Sequence, residues 1–263
     1  MRVVDLDRDM SDVIPTGTTP DSRFLFDRMT EATLELAQPA PGRLLLDVAS
    51  GFGQDAVALA RCGARVVAAE PSARMTSWAR LVGAKQPGPL PHWVRGWSDA
   101  LPFASGRFDA VICKGAIDHF DRPEQAIAEM ARVARPGGRV VLAIANFESL
   151  ACRLARLADA WRERGLGRTP KRGRRHYDVP ADHFTRYDLA LMREQAAGWL
   201  DLEVVRGISL GWGVPLWARA VQRLPADLAQ RALQLLDAGA RRAPAWADVV
   251  VLAGRPRRTR SSR

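Results

Sequence analysis

The sequence predicts an α/β fold, a mostly parallel seven-stranded sheet with helices on both faces, plus a cap insertion. Three observations carry this expectation. Short apolar runs alternate with segments of helical periodicity from residue 43 to residue 146. A glycine-rich turn follows the first run. The alternation then breaks once, into an arginine-rich stretch at 148–185, before strands and helices resume. A chain of 263 residues with 47% hydrophobic content suits one such domain with an appended cap.

The elements follow in order. Residues 43–49 (RLLLDVA) form an apolar run ending in small residues, and after the glycine turn Ala56, Leu59 and Ala60 recur at helical spacing. Residues 64–69 are a second β-branched run, and 71–81 read as a helix with Pro71 suited to its first turn. Residues 92–95, 108–113 and 139–145 read as strands, with a helix at 123–134 and a turn at 136–138. Beyond the insertion, 187–198 is helical, 202–206 extended, 225–240 an amphipathic helix and 248–253 (DVVVLA) a final strand. The expected organisation is a single domain at 1–254. It comprises a helical segment at 1–42, a cofactor-binding core at 43–147, a cap at 148–185, a C-terminal part at 186–254 and a disordered basic tail at 255–263.

Composition narrows the function. The formal charge of +10 is concentrated in two places. Residues 255–263 hold five arginines and no acid; residues 151–175 hold eight arginines and one lysine against Asp159 and Glu163. Without them the chain is slightly acidic, so no broad basic face is available to track phosphates, and no nucleic-acid partner is expected. No stretch approaches the ~18 uninterrupted apolar residues of a membrane span, and the N-terminus is acidic where a secretory leader would be basic and then apolar. A cytoplasmic protein is expected, with peripheral membrane contact left to Trp212, Trp217 and the amphipathic segment 216–236. Cys62, Cys113 and Cys152 lack paired spacing and read as reduced packing residues.

The glycine turn carries the first functional signal. In Asp47–Gly53 (DVASGFG), glycines at 51 and 53 permit positive φ and close ligand approach, and the following helix presents unpaired N–H groups. This suits the carboxylate end of S-adenosylmethionine, but also a pyrophosphate, because Gly51, Gly53 and Ala56 satisfy the G-x-G-x-x-G/A dinucleotide fingerprint. Glu70 ends the second strand, where a carboxylate can accept ribose hydroxyls of either cofactor. Its replacement by alanine is expected to spare folding.

Five ordered motifs separate the two cofactors: DVASGFG (47–53), AAEPSARM (68–75), RGWSDALPF (95–103), FDAVICKGAIDHF (108–120) and ARVARPGGRVVLAIAN (131–146). Together they resemble the class I, Rossmann-like S-adenosylmethionine-dependent methyltransferases, most closely their small-molecule, type 11-like branch. The resemblance covers about 43–147, and more weakly 184–206 and 246–254. NAD enzymes have no reason to carry the LPF, FD and PGG elements together.

The resemblance implies that Asp47, Gly51 and Gly53 cradle the methionine portion of the cofactor, with backbone contacts from Ala49 and Ser50. Glu70 would hold the ribose, and Met75, in the run beginning Glu70 and Pro71, would pack near the adenosine or serve as core. Lys114 and Gly115 would border the reacting methyl group through backbone atoms, with the Lys114 side chain free to reach solvent. The chain departs from the family twice. Ala49 stands where a first glycine is usual, and Trp97, followed by Ser98 and Asp99, replaces the acid that reaches the adenine amino group.

Methyl transfer needs alignment and water exclusion more than protein chemistry. A hydroxyl acceptor would also use a general base, for which His119, His176 and His183 are candidates, while His92 begins a strand and reads as structural. The spacing of the histidines suggests no metal site. The acceptor is expected to be a small molecule. RNA or protein methylation, or silent binding of S-adenosylmethionine or NAD, are the alternatives; CKGAIDHF stands where base N-methylating enzymes often carry an N/D-P-P-Y/F motif. The insertion 148–185 is expected to be a mobile lid whose arginines meet an anionic or polar acceptor.

Overall fold

A computed structural model describes residues 19–85, 87–167, 175–180 and 183–257. Seven strands form one sheet: β1 (Leu44–Val48), β2 (Arg65–Ala69), β3 (His92–Val94), β4 (Phe108–Lys114), β5 (Ala134–Ala145), β6 (Leu200–Ile208) and β7 (Val249–Pro256). Their order is β3-β2-β1-β4-β5-β7-β6. The first five pair in parallel, whereas β7 runs antiparallel to both β5 and β6. The chain therefore starts at the middle of the sheet, winds to one edge, and returns to build the other half. Such a reversal opens a crevice at the carboxyl ends of β1 and β4.

Alternation along the strands divides the core into two layers. Leu46, Val111, Cys113 and Leu142 face one layer with α4 (Pro123–Val133) and α6 (Leu189–Ala197), which contribute Ile127, Met130 and Met192. Leu45, Ala110, Ile112 and Val141 face the other with α1 (Pro20–Ala37) and α2 (Gln54–Arg61), which contribute Leu25, Met29 and Leu59. Strands buried on both faces explain the unbroken apolar runs of the sequence. α3 (Ala73–Ala84) follows β2, α5 (Leu150–Ala160) follows β5, and α7 (Pro215–Arg223) and α8 (Ala226–Arg242) precede β7. The buried carboxylate of Asp237 on α8 pairs with Arg28 of α1 at 3.2 Å and Arg241 at 2.8 Å, which ties α1 across that face.

Several elements differ from the sequence expectation. Pro71 lies ahead of α3 rather than in its first turn, because Ser72 takes the N-cap and accepts from the Met75 N–H at 3.1 Å. The turn at 136–138 is an excursion inside β5: Phe108 pairs with Ala134 and Ala110 with Arg139, leaving the residues between looped out. β7 extends to Pro256, and the Arg257 N–H reaches the Trp199 carbonyl at 2.9 Å, so the first residues assigned to a disordered tail belong to the sheet; residues 258–263 lie outside the described residues. Cys113 and Cys152 are buried, but Cys62 is exposed and does not pack. Trp217 is partly buried against Phe24, Val221 and Leu233, so the amphipathic segment spends one face on a small satellite core. Among the described residues no helix is long and apolar enough to cross a membrane.

Candidate functional site

A cavity of about 730 Å³ lies at the carboxyl ends of β1, β2 and β4 and extends under the insertion. Every cofactor residue suggested by the sequence lines it except Gly53: Asp47, Ala49, Ser50, Gly51, Glu70, Pro71, Met75, Trp97, Ser98, Asp99, Lys114 and Gly115. His119, His176 and His183 line the same cavity.

The glycine loop is held by backbone geometry. Ala49 (φ 54°), Gly51 (φ 52°) and Gly53 (φ 72°) all adopt left-handed conformations. For Ala49 that costs roughly 1–2 kcal/mol relative to a right-handed residue, so the loop keeps its shape despite the missing first glycine. Gly53 is required for a reason the sequence did not disclose: a Cβ there would sit 2.0 Å from Cη2 of Trp93 on β3. Its place is behind the loop, as packing against Trp93 rather than as cavity wall. Met75 reaches under the loop, its Cε 3.8 Å from where a Gly51 Cβ would be, so it is both core and cavity lining.

Glu70 is buried, and its carboxylate accepts from the backbone N–H of Gly51 at 2.9 Å and of Ser72 at 3.0 Å. Burial pushes its pKa up, and these two hydrogen bonds oppose the rise. Asp47, also buried, is held well above the usual carboxylate range by burial and by the nearby Asp55, against the field of Lys114. Its Oδ2 and the Ser50 Oγ are buried without hydrogen-bond partners. At the head of α2 the N-cap is Gly53, which offers no side chain to cap the helix. The donor and acceptor set therefore fits an amino-acid zwitterion followed by a ribose. An ammonium group would satisfy Asp47, a carboxylate would meet the helix N–H groups, and Glu70 keeps lone pairs for hydroxyls.

Lys114 does not reach for solvent. Its Nζ donates to Thr30 Oγ1 at 2.6 Å and to Asp55 Oδ1 at 2.8 Å, linking β4 to α1 and α2. Helix α1, which carried no sequence signal for the site, also supplies Leu25, Phe26, Asp27 and Met29 to the cavity wall.

The far end of the cavity is built around Asp118, a buried residue that sequence reasoning missed. It lies in the single turn Ile117–His119 after β4, and its backbone carbonyl accepts from the N–H groups of Phe184 at 2.7 Å and Thr185 at 3.2 Å. Those bonds bring His183 back onto the sheet. Its Nδ1 lies 2.8 Å from Asp118 Oδ2, but off the line of the ring N–H, so the contact is an electrostatic pairing rather than a linear hydrogen bond. The His119 Nε2 is 3.9 Å from Asp118 Oδ1, and the two imidazole rings are 4.2 Å apart edge to face. The spacing argument against a metal-ligand group is thereby corrected. Asp118, His119 and His183 present ligand atoms within 4.8 Å of one another, because the fold joins residues that the sequence separates. His176 stands apart from this cluster, edge to face with Trp212 at 5.1 Å and packed on Gly213, where a Cβ would lie 1.9 Å from its ring.

Two further findings revise the insertion and its surroundings. Several described arginines in and beside it are engaged by acids of the same region: Arg156 of the insertion and Arg186 just beyond it pair with Glu148 at 2.5 and 2.7 Å, and Arg175 pairs with Glu163 at 2.6 Å. None of these arginines lines the cavity, so they do not form the anionic acceptor site expected of them; residues 168–174 lie outside the described residues. Asp248, also on the cavity wall, is pushed up to about 7 by burial, against a hydrogen bond from the Trp212 N–H at 2.9 Å.

Residues 46–142 match the family described as a methyltransferase domain. Over 133 residues the chain is 35% identical to a demethylmenaquinone methyltransferase of Renibacterium salmoninarum, covering 51% of each chain. Over 146 residues it is 32% identical to a ubiquinone biosynthesis O-methyltransferase of Xanthomonas oryzae, covering 56% of this chain and 58% of that one. These matches span little more than half the length of either relative. In fold, it resembles magnesium protoporphyrin IX methyltransferase from Synechocystis, solved with bound SAH, with a TM-score of 0.58 and 16% identity over 90% of this chain and 86% of that one.

Proposed function

We propose that this chain is a class I S-adenosylmethionine-dependent methyltransferase that transfers a methyl group to the hydroxyl of a small-molecule acceptor. The observation that carries the reading is that one cavity has two chemically distinct ends. One end holds Asp47, Ser50 and Glu70 around the uncapped head of α2, and the other holds Asp118, His119 and His183. The names of the two quinone-pathway relatives favour a small acceptor, and Phe147, 6.1 Å from the His183 ring, gives the acceptor end an aromatic wall.

When bound, S-adenosylmethionine supplies a methyl group already activated by its sulfonium charge. This chain's own contribution is placement. Asp47 and the α2 N–H groups fix the amino-acid end, Glu70 fixes the ribose, and Trp97, with Ser98 and Asp99, borders the remaining length of the cavity. Gly115, at a φ of 65° just past β4, lets the backbone turn between the two ends. The Asp118, His119 and His183 cluster is where a hydroxyl proton is given up as the oxygen attacks. The insertion closes this end, with Ser149, Cys152 and Pro180 on the wall, which keeps water from competing. The insertion's internally paired arginines give no support to an RNA acceptor.

Calorimetric titration with S-adenosylhomocysteine and with NAD tests the cofactor, and labelled methyl transfer to a panel of phenolic and aliphatic hydroxyl compounds tests the reaction. Micromolar binding of the first ligand only, with label on at least one hydroxyl compound, is expected. Binding of NAD without response to S-adenosylhomocysteine defeats the proposal.

A further inference from the structure

We infer that Asp118, His119 and His183 form a binding site for a divalent first-row transition cation, open to the acceptor end of the cavity. Three observations converge on it. The three side chains offer one carboxylate and two imidazoles with ligand atoms within 4.8 Å of one another. Asp118 is 3% exposed, yet its Oδ1 has no hydrogen-bond partner. The His183 Nδ1, although 2.8 Å from Oδ2, makes no aligned hydrogen bond. A buried carboxylate left in this state costs free energy that a cation would recover.

The scaffold favours capture rather than chance proximity. Asp118 and His119 sit in a turn anchored to the end of β4, and His183 is delivered by the two backbone bonds onto the Asp118 carbonyl. Ligand atoms sharing one cation at ~2.0–2.2 Å lie roughly 3–4 Å apart, so only small side-chain rotations are needed to contract the cluster. Two imidazoles with one carboxylate select zinc, iron, cobalt or nickel over magnesium and calcium, which prefer all-oxygen sets. Three protein ligands leave coordination positions open, as at catalytic rather than structural sites.

The role of the cation rests on the methyl transfer proposed above, whereas its binding does not. An acceptor hydroxyl entering an open position becomes more acidic. Its O–H bond breaks with the proton released to water, the oxygen lone pair forms the new C–O bond, and the C–S bonding pair remains on sulfur. The histidines then serve as ligands, not as free bases.

The test uses the full chain stripped with chelator and titrated with Zn²⁺, Co²⁺, Mg²⁺ and Ca²⁺, with the visible spectrum of Co²⁺ as a second readout. One equivalent of Zn²⁺ or Co²⁺ should bind at micromolar or tighter concentration, with Mg²⁺ and Ca²⁺ at least about 100-fold weaker. His183→Ala and the near-isosteric Asp118→Asn should each weaken binding at least about 10-fold and alter the Co²⁺ spectrum, while His176→Ala changes neither. S-adenosylhomocysteine affinity, unchanged in the variants, certifies that they are folded. Absence of stoichiometric binding, or binding that persists in the His119→Ala and His183→Ala double variant, overturns the site. Full turnover by metal-free protein that is abolished by His183→Ala would overturn the cation's role in the reaction while leaving methyl transfer intact. Failure to bind S-adenosylhomocysteine would instead sink the methyltransferase reading and leave the cation titration to stand by itself.

Discussion

The carboxylate of Glu70 is bonded to the backbone N–H of Gly51 at 2.9 Å, so the residue at the end of β2 braces the loop at the end of β1. A second bond, from the Ser72 N–H at 3.0 Å, ties the same carboxylate to the start of α3. Glu70 is thus a structural clamp as well as the expected ribose acceptor, and the expectation that its removal spares folding needs revision.

Glu70→Ala should weaken S-adenosylhomocysteine by about 1.5–3 kcal/mol, since hydrogen bonds to a charged acceptor are lost. It should also lower the melting temperature of the ligand-free protein, because the buried Ser72 N–H and the partly buried Gly51 N–H lose their partner. Calorimetry and a thermal melt read the two effects separately. A variant with normal affinity would remove Glu70 from the cofactor site, and one with reduced affinity but an unchanged melt would remove it from the loop brace.

Gly53→Ala offers a sharper test of why the loop needs its second glycine. The substitution meets both a φ of 72° and the Trp93 ring 2.0 Å from the new Cβ, so overpacking and backbone strain add. A loss of at least about 1–3 kcal/mol of stability is expected. Combining it with Trp93→Leu should recover part of that loss, a coupling that a double-mutant cycle in urea measures directly. Strict additivity would mean that strain in the loop, and not Trp93, sets the requirement.

What the sequence disclosed and what it withheld follow from distance along the chain. The placement of Asp47, Gly51 and Glu70 on the cavity was legible because Asp47 lies near the end of β1, Gly51 in the glycine turn that follows it and Glu70 directly after β2. The meeting of Asp118 with His183 was not, because it depends on the insertion folding back through the Phe184 and Thr185 N–H groups. Thr30 and Lys114 are 84 residues apart, and nothing local in α1 announces that it closes the cavity. Charge was misleading in a similar way. Composition revealed an excess of arginine at 151–175 but not that Glu148, just outside that window, and Glu163 would engage it. Trp93 was equally silent, since a three-residue strand gives no register from periodicity alone.

Asp248 provides the last prediction, a pH dependence with a defined sign. Burial raises its folded-state pKa to about 7 from an ordinary value of 3.8. The folded protein therefore holds this proton at pH values where the unfolded chain has released it. The associated stability is fully present below pH ~4 and is lost as pH rises toward and through ~7. Buried Asp47 and Glu70, both raised, act in the same direction in the ligand-free protein. Asp248→Asn removes the titration while keeping an oxygen to accept from the Trp212 N–H, which it meets at 2.9 Å in the native side chain. Urea denaturation of the wild type from pH 5 to pH 8 should show stability falling with pH, and the variant should show a shallower slope, gaining on the order of a few kcal/mol relative to wild type at pH 8. Parallel curves for the two proteins would show that Asp248 is already ionised in the folded state, held so by its hydrogen bonds, and that the slope belongs to Asp47 and Glu70.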